Sequence, residues 1–286
     1  MSLTSVINQL GGLAATHELY SRGFSRWTLG RAVASGEIVR VRQGWYSSPD
    51  LSPVLQRGAR VGGPVTCITG AQVHGLAVFN DHRPHTAVRQ HSSRLRSSNN
   101  RRLRLSSMGR ADAVVHWSLA SDERLLLGVR ECLCQMVLCQ SPERVVAAAD
   151  SAIRLGRMTA QEWHSTTAHF PPRLRLLLAE IDPASESITE SLFRFRIARL
   201  GVRMRSQVKV PGVGFVDFII GERLAIEIDG FAYHSDPDNF EADRRRDARL
   251  SARGFRVLRF SYKQITSQWA EVRAAVMASI ARGDHH

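Results

Sequence analysis

The 286-residue chain is short of cysteine, almost without lysine, and has no long apolar run. No uninterrupted apolar stretch approaches the roughly 18–20 residues that cross a bilayer as a helix, so a membrane-spanning role is excluded from the expectations. The opening segment MSLTSVINQLGGLAATHELY lacks the basic-then-apolar layout of a secretory signal, and a cytoplasmic location is expected. The four cysteines are Cys67, Cys132, Cys134 and Cys139. They do not suggest the disulfide framework of an oxidising compartment. Three of them form C-x-C-x4-C in ERLLLGVRECLCQMVLCQ, which reads as one apolar helix. Zinc sites commonly use C-x2-C pairs with a second ligand pair. Neither is present, so these cysteines read as buried free thiols. His74, His82, His85 and His91 show no ligand spacing and read as solvated or core histidines.

Lysine is confined to Lys209 and Lys263, so arginine carries almost all of the formal charge of +13. A polyanionic partner is expected, and arginine is the better bidentate phosphate ligand. Residues 1–180 hold 22 arginines against 12 acids, which places most of the excess in the first two thirds. From His82 to Ala111 there is no acid, whereas Arg83, Arg89, Arg94, Arg96, Arg101, Arg102, Arg104 and Arg110 all fall there. Charges this dense repel unless an anion screens them, so the segment reads as a phosphate-tracking surface; a solvated loop or strand pair is the alternative.

The apolar fraction of 43% suits a soluble globular chain, and the length allows two or three domains. Residues 1–50 read as three helices and a hairpin. Thr16 and Ser25 are candidate N-caps, and Gly36 ends the third helix. Leu29 and Val33 face a core, with Arg26, Trp27 and Arg31 on the other sides. Arg40 and Arg42 lie on a hairpin that turns at Gln43-Gly44. This is the plan of a winged helix, which sets its second helix in the major groove and its wing on the backbone. Residues 51–180 read as an α+β middle region. It contains a helix in VTCITGAQVHGLAVFN, short strands at HTAVRQ and VVHWSLA, and helices in SDERLLLGVRECLCQMVLCQ and SPERVVAAADSAIRLGRMTAQEWHSTT, with starts at Ser121 and Ser141-Pro142. A linker falls near IDPASESITE, and residues 184–286 read helix, three strands, helix, strand, helix.

The chemistry concentrates in VPGVGFVDFIIGERLAIEIDGFAYH. Gly221-Glu222 marks a turn between two strands. Strand alternation points Glu227 and Asp229 one way and Ile226 and Ile228 the other, with Asp217 beside the two acids on the neighbouring strand. Carboxylates gathered on an apolar sheet repel and lose hydration. A divalent cation removes both penalties, and hard oxygen ligands suit Mg2+ or Mn2+. Pairing of Glu227 or Asp229 with an arginine is the bland alternative. Glu190, in the first turn of the helix in SESITESLFRFRIARLGV, is a candidate further ligand, although the helix dipole alone favours an acid there. His234 is placed to orient water, accept a proton or contact phosphate. Arg245 or Arg246 is a candidate phosphate contact, and Asp243 reads as a support for His234 or an arginine.

Two resemblances add to this reading. Gly12, Leu19, Gly23, Ser25, Leu29, Val33, Gly36, Val39, Val41, Gly44 and Tyr46 carry a pattern that resembles the N-terminal winged-helix domain of the AbiEi family of antitoxins. It implies DNA binding; the candidates for that contact are Arg26, Trp27, Arg31, Arg40 and Arg42 of this block, with Arg94, Arg96, Arg101 and Arg102 of the basic segment. Residues 186–275 resemble the DUF559 family of the restriction-endonuclease-like PD-(D/E)xK superfamily, related to very-short-patch repair endonucleases. The motifs are Glu190 in SITES, Gln207-Val208, Val216-Asp217-Phe218, Ile226-Glu227-Ile228-Asp229-Gly230, His234, Asp243 to Asp247, Leu250 and Gly254 to Arg259. The resemblance implies a metal site at Glu190, Asp217, Glu227 and Asp229 with Gln207 and His234 nearby. The superfamily lysine is absent, and Asp229 holds its place.

The expectation is a multidomain α/β protein: an N-terminal winged helix-turn-helix at 1–50, an α+β middle domain at 51–180, and a C-terminal restriction-endonuclease-like αβββαβ core at 184–286. The function expected is a Mg2+- or Mn2+-dependent endonuclease targeted to DNA by the winged helix. RNA is the other candidate substrate, and the partner is a second copy or a toxin or defence protein. The alternatives are a non-catalytic DNA-binding regulator or antitoxin of a toxin–antitoxin or phage-defence system, and a toxin–antitoxin fusion.

Overall fold

The computed structural model describes residues 2–108, 112–118, 122–229 and 237–286, with 237–243 described as backbone alone. It divides into two compact units, one of residues 1–75 and 79–139, the other of 76–78 and 140–286. Helices are the majority in both, and each unit carries sheet, so the chain is mixed α/β. No helix among the described residues is long and apolar enough to cross a membrane.

The first unit opens with α1 (Leu3–Gln9), β1 (Leu13–Ala15), α2 (Thr16–Ser21), α3 (Arg26–Ser35), β2 (Val39–Arg42) and β3 (Trp45–Ser47). β3 lies between β1 and β2 in an antiparallel sheet. β1 has only three residues, all buried, and so gives no alternation from which a strand is read. Thr16 is the first residue of α2 rather than its cap. Ala15 holds the cap position, and Glu18 reaches back to its N–H at 2.7 Å. Ser25 caps α3 by accepting from Thr28 N–H at 3.1 Å, and Gly36 ends it with φ +78°. Leu19, Leu29, Ala32 and Ile38 close over Ile7 and Ala14 in a shared core.

The unit continues through α4 (Pro53–Val61), α5 (Cys67–Val73), β4 (His85–Arg89), β5 (Val114–Ser118) and α6 (Val129–Cys139). β4 and β5 pair in parallel, His85 with Val114 and Ala87 with His116. The helix expected from Ser121 starts only at Val129. Leu126 instead bridges to Val65, and Leu127 N–H donates to the Val65 carbonyl. Ser121 lies outside the described residues.

The second unit contains α7 (Pro142–Arg154), α8 (Ala160–Thr167), α9 (Pro172–Leu178), α10 (Ile188–Ala198), β6 (Met204–Val210), β7 (Gly214–Ile220), β8 (Leu224–Ile228), α11 (Pro237–Ala252), β9 (Arg256–Phe260), α12 (Tyr262–Ser267) and α13 (Trp269–Ala281). The boundary anticipated at 180–184 thus falls inside this unit, because α7 packs directly on α10. The sheet runs β6-β7-β8-β9, antiparallel until β8 and β9 pair in parallel. On one side Phe193 of α10 meets Phe218, Phe260 and Trp269. Leu250 of α11 packs with Val216, Ile219 and Ala225 in a separate cluster.

A buried ion pair fixes α10. Asp150 of α7, 1% exposed, meets Arg194 at 2.9 Å, accepts from Ser191 at 2.7 Å, and accepts Asp182 N–H at 2.6 Å. Removing one partner of such a pair leaves an uncompensated charge in the interior. Asp150→Ala is therefore expected to cost about 3–5 kcal/mol of stability in denaturant unfolding, far more than removal of the exposed Glu180–Arg199 pair. Equal losses from both changes would refute this account of α10.

Candidate functional site

The acids of the second unit come from three elements. Glu190 is the third residue of α10. Ser187 caps that helix by accepting Glu190 N–H at 3.2 Å, and Glu190 in return accepts Glu186 N–H at 2.9 Å. The helix-start role of Glu190 is thus real, and it leaves the carboxylate aimed toward β6. There Gln207 Nε2 donates to Glu190 at 3.0 Å and to Asp217 at 3.2 Å, tying α10 to β7 through one amide. Gln207 stands at φ +47°, a left-handed conformation that costs about 1–3 kcal/mol for a residue with a side chain.

Asp217 also accepts Ile228 N–H across the sheet at 2.7 Å. The β7–β8 register pairs Phe218 with Ile226, and continuing it sets Asp217 opposite Glu227 on one face. Glu227 is 5% exposed. Its carboxylate faces Arg246 of α11 at 2.9 Å, one turn from the core residue Leu250. Arg246 also donates to the Phe215 carbonyl. Asp229 follows β8 and is about a third exposed. Arg259 of β9 lies 4.0 Å from it and 2.9 Å from Asp247.

Burial raises the proton affinity of Glu190, Asp217 and Glu227. For Glu190 the Asp217 charge adds to the effect, and Glu227 is pushed up to about 7 despite Arg246. The four acids do not collapse onto one point. Among the described residues, the group of three or more His, Cys, Asp or Glu whose ligand atoms all lie within 4.8 Å of one another is elsewhere. Gln207, Arg246 and Arg259 stand among the carboxylates, and the arginine pairing of Glu227 is the alternative role anticipated for it. His234 and the Asp243 side chain lie outside the described residues. Arg259 was not marked as a site residue in the sequence; its signal is the parallel register that pairs it with Glu227.

The basic residues of the first unit divide into two groups. Arg26, Trp27, Arg31 and Arg40 are exposed, and the Arg31 guanidinium stacks 4.7 Å from the Trp27 ring, which is 69% exposed. Arg42 instead turns inward and donates to the Val61 and Arg94 carbonyls at 3.4 and 3.3 Å. Burial, then the charge of Arg96, depresses its proton affinity. It thus directs donors to backbone carbonyls of this region, unlike the exposed Arg40. Arg94 and Arg102 are exposed and Arg96 and Arg101 half-buried. Buried Asp112 accepts from Ser97, Ser98 and Asn99, fixing the loop that carries them. Arg57 and Arg60 of α4, absent from the sequence reading, both donate to Ser98. In the second unit Arg245 is exposed and Arg246 faces Glu227.

The Glu227 shift has a definite sign. Its folded value lies above the ordinary 4.5, so its contribution to stability is full below that value and is lost as pH rises through about 7. Glu227→Gln should therefore stabilise the metal-free protein at pH 8, on the order of 1–3 kcal/mol, and have little effect at pH 5. Thermal unfolding at both pH values checks this. Destabilisation at pH 8 would mean that the Arg246 pair outweighs the burial.

No curated protein matches the chain. Residues 190–282 match the model of REase_MTES_1575, a restriction-endonuclease-like family. The match covers roughly a third of the chain and includes Glu190, Gln207, Asp217, Glu227, Asp229, Arg246 and Arg259. The protein thus carries a C-terminal restriction-endonuclease-like domain.

Proposed function

We propose that the protein is a divalent-metal-dependent DNA endonuclease. The observation that carries this reading is the connected set Glu190–Gln207–Asp217, with Glu227 opposite Asp217, inside a restriction-endonuclease-like domain. Acids held this far from water retain their protons or recruit a cation. The donors are hard oxygens, which suit Mg2+ or Mn2+. Asp217 and Glu227 are the principal ligands in this reading, with Glu190 and Asp229 at the margin. Such an ion lowers the proton affinity of bound water and stabilises charge on a phosphoryl group.

The chain's own residues have separate tasks. Gln207 holds the Glu190 and Asp217 carboxylates in a fixed relation. Arg246 offsets the Glu227 charge and is positioned to exchange that partner for a phosphate oxygen. Arg259 restrains Asp229 and Asp247, and His234 serves as a proton acceptor or phosphate contact. In the first unit, Arg26, Trp27, Arg31 and Arg40 form a winged-helix surface that brings the enzyme to DNA. Arg94, Arg96, Arg101 and Arg102 add phosphate contacts, as does Arg245 in the nuclease domain.

Incubation of supercoiled plasmid with the full chain and Mg2+ should yield nicked or linear DNA, and EDTA should abolish it. Asp217→Ala and Glu227→Ala should each lower the rate by about 10²-fold or more, since even a 1 Å misplacement of a reacting group costs about that much. Mg2+ affinity should rise with pH, because the ion displaces the proton that burial holds on Glu227. Undiminished cleavage by both variants would exclude this site. Cleavage of RNA with no action on DNA would exclude the substrate, and cleavage of neither would favour a non-catalytic DNA-binding regulator.

The DNA surface has its own test. Arg26→Ala with Arg31→Ala should weaken DNA binding and flatten its salt dependence by about 0.9 in log–log slope per lost phosphate contact. An unchanged slope would remove the winged-helix assignment.

A further inference from the structure

Four side chains far apart in sequence meet inside the first unit. Cys67 is the first residue of α5, His85 begins β4, His116 lies in β5, and Cys139 ends α6. One ligand atom from each lies within 4.8 Å of all the others. His85 Nδ1 and His116 Nε2 are 3.1 Å apart, and Cys139 Sγ is 3.8 Å from His85 Nδ1. Metal–nitrogen bonds of about 2.0 Å and metal–sulfur bonds of about 2.3 Å in a tetrahedron require N···N near about 3.3 Å and N···S near about 3.5 Å. Both separations are within a few tenths of an ångström of these values.

The surroundings orient the four groups. Asp81 accepts from His85 Nε2 at 3.2 Å, which turns the lone pair of Nδ1 toward the cluster. The Gln135 side chain hydrogen-bonds the His116 ring. Thr69 Oγ1, on the same helix as Cys67, accepts His85 N–H at 2.9 Å. A side chain in place of Gly70 would collide with Cys132 Sγ, so glycine there lets α5 approach α6 and brings Cys67 and Cys139 together. Cys67 adopts φ +52°, a strained conformation for a residue with a side chain.

We propose that Cys67, His85, His116 and Cys139 form a tetrahedral Cys2His2 zinc site, structural in role and separate from the nuclease acids. Two thiolates and two imidazoles select Zn2+ over the hard cations. Binding displaces the two thiol protons to solvent, so Zn2+ and the two thiolates form a neutral centre. This compensates the burial that otherwise holds Cys67 strongly in its protonated form. Burial likewise lowers the proton affinity of His116, to about 4, which leaves its nitrogen free to ligate. Cys139 is exposed and gives the metal a path in. All four coordination positions come from protein, so the site has no place for a reacting water. Its effect is to clamp two helices onto a sheet of only two strands.

The test is metal analysis of the purified full-length chain by plasma mass spectrometry. About one zinc per chain is expected in the wild type and in Asp217→Ala, and loss of that zinc in Cys139→Ser and His116→Ala. Should His116→Ala fail to fold, Cys139→Ser, altered at the exposed end of α6, carries the same prediction. Co2+ added to chelated wild-type protein should produce thiolate-to-cobalt charge-transfer absorption, and the Cys139→Ser protein should show it weakened or shifted. Zinc retained by both ligand variants would overturn the assignment. So would the absence of both zinc and the cobalt spectrum from the wild type, or a Cys67–Cys139 disulfide found by peptide mass spectrometry.

Discussion

Taking carboxylates out of water on an apolar sheet is the constraint around which the second unit is built. Glu227 sits in a strand whose five residues are all buried, and Asp217 stands opposite it with Glu190 one amide away. Each charge needs an answer within the fold. Gln207 accepts a strained backbone to reach two of them, Ile228 N–H serves Asp217, and Arg246 reaches Glu227 from the helix that covers the sheet. A second buried pair, Asp150 with Arg194, holds α10 so that Glu190 is presented where Gln207 can reach it. Despite these partners, burial still raises the proton affinities of Glu190, Asp217 and Glu227.

How far this was legible in the sequence depended on range. The β7–β8 turn at Gly221 could be read because two apolar runs flank a Gly-Glu pair, and the cap of α3 because Ser25 and Gly36 bound an apolar period. Asp217 and Glu227 stood out as acids in apolar strands. Gln207, by contrast, entered through family resemblance alone; its role rests on a positive φ that no local pattern encodes. Arg259 needed the parallel register, and the carbonyl acceptors of Arg42 depend on the folded chain.

The cysteine and histidine cluster shows the same limit more sharply. Its members are separated by 18, 31 and 23 positions, so no short motif joins them. Cys132 and Cys134, which make the visible C-x-C spacing, are not members. What brings the set together is the approach of α5 to α6 and the parallel pairing of β4 with β5, both tertiary facts. Arginine crowding follows a similar rule. The basic stretch was evident from composition, but its anchoring by the single buried Asp112 and its extension by Arg57 and Arg60 depend on the folded loop.

The parallel union of β8 with β9 bears on synthesis. β8 carries Glu227 and is followed by α11, so its outer neighbour is made only when residues 256–260 emerge. Until then β8 is an open sheet edge, without the Arg259 side chain beside Asp229. Such a non-local pairing forms late, after the crossover that precedes it. A polypeptide that terminates before residue 256 thus lacks one wall of the acidic site.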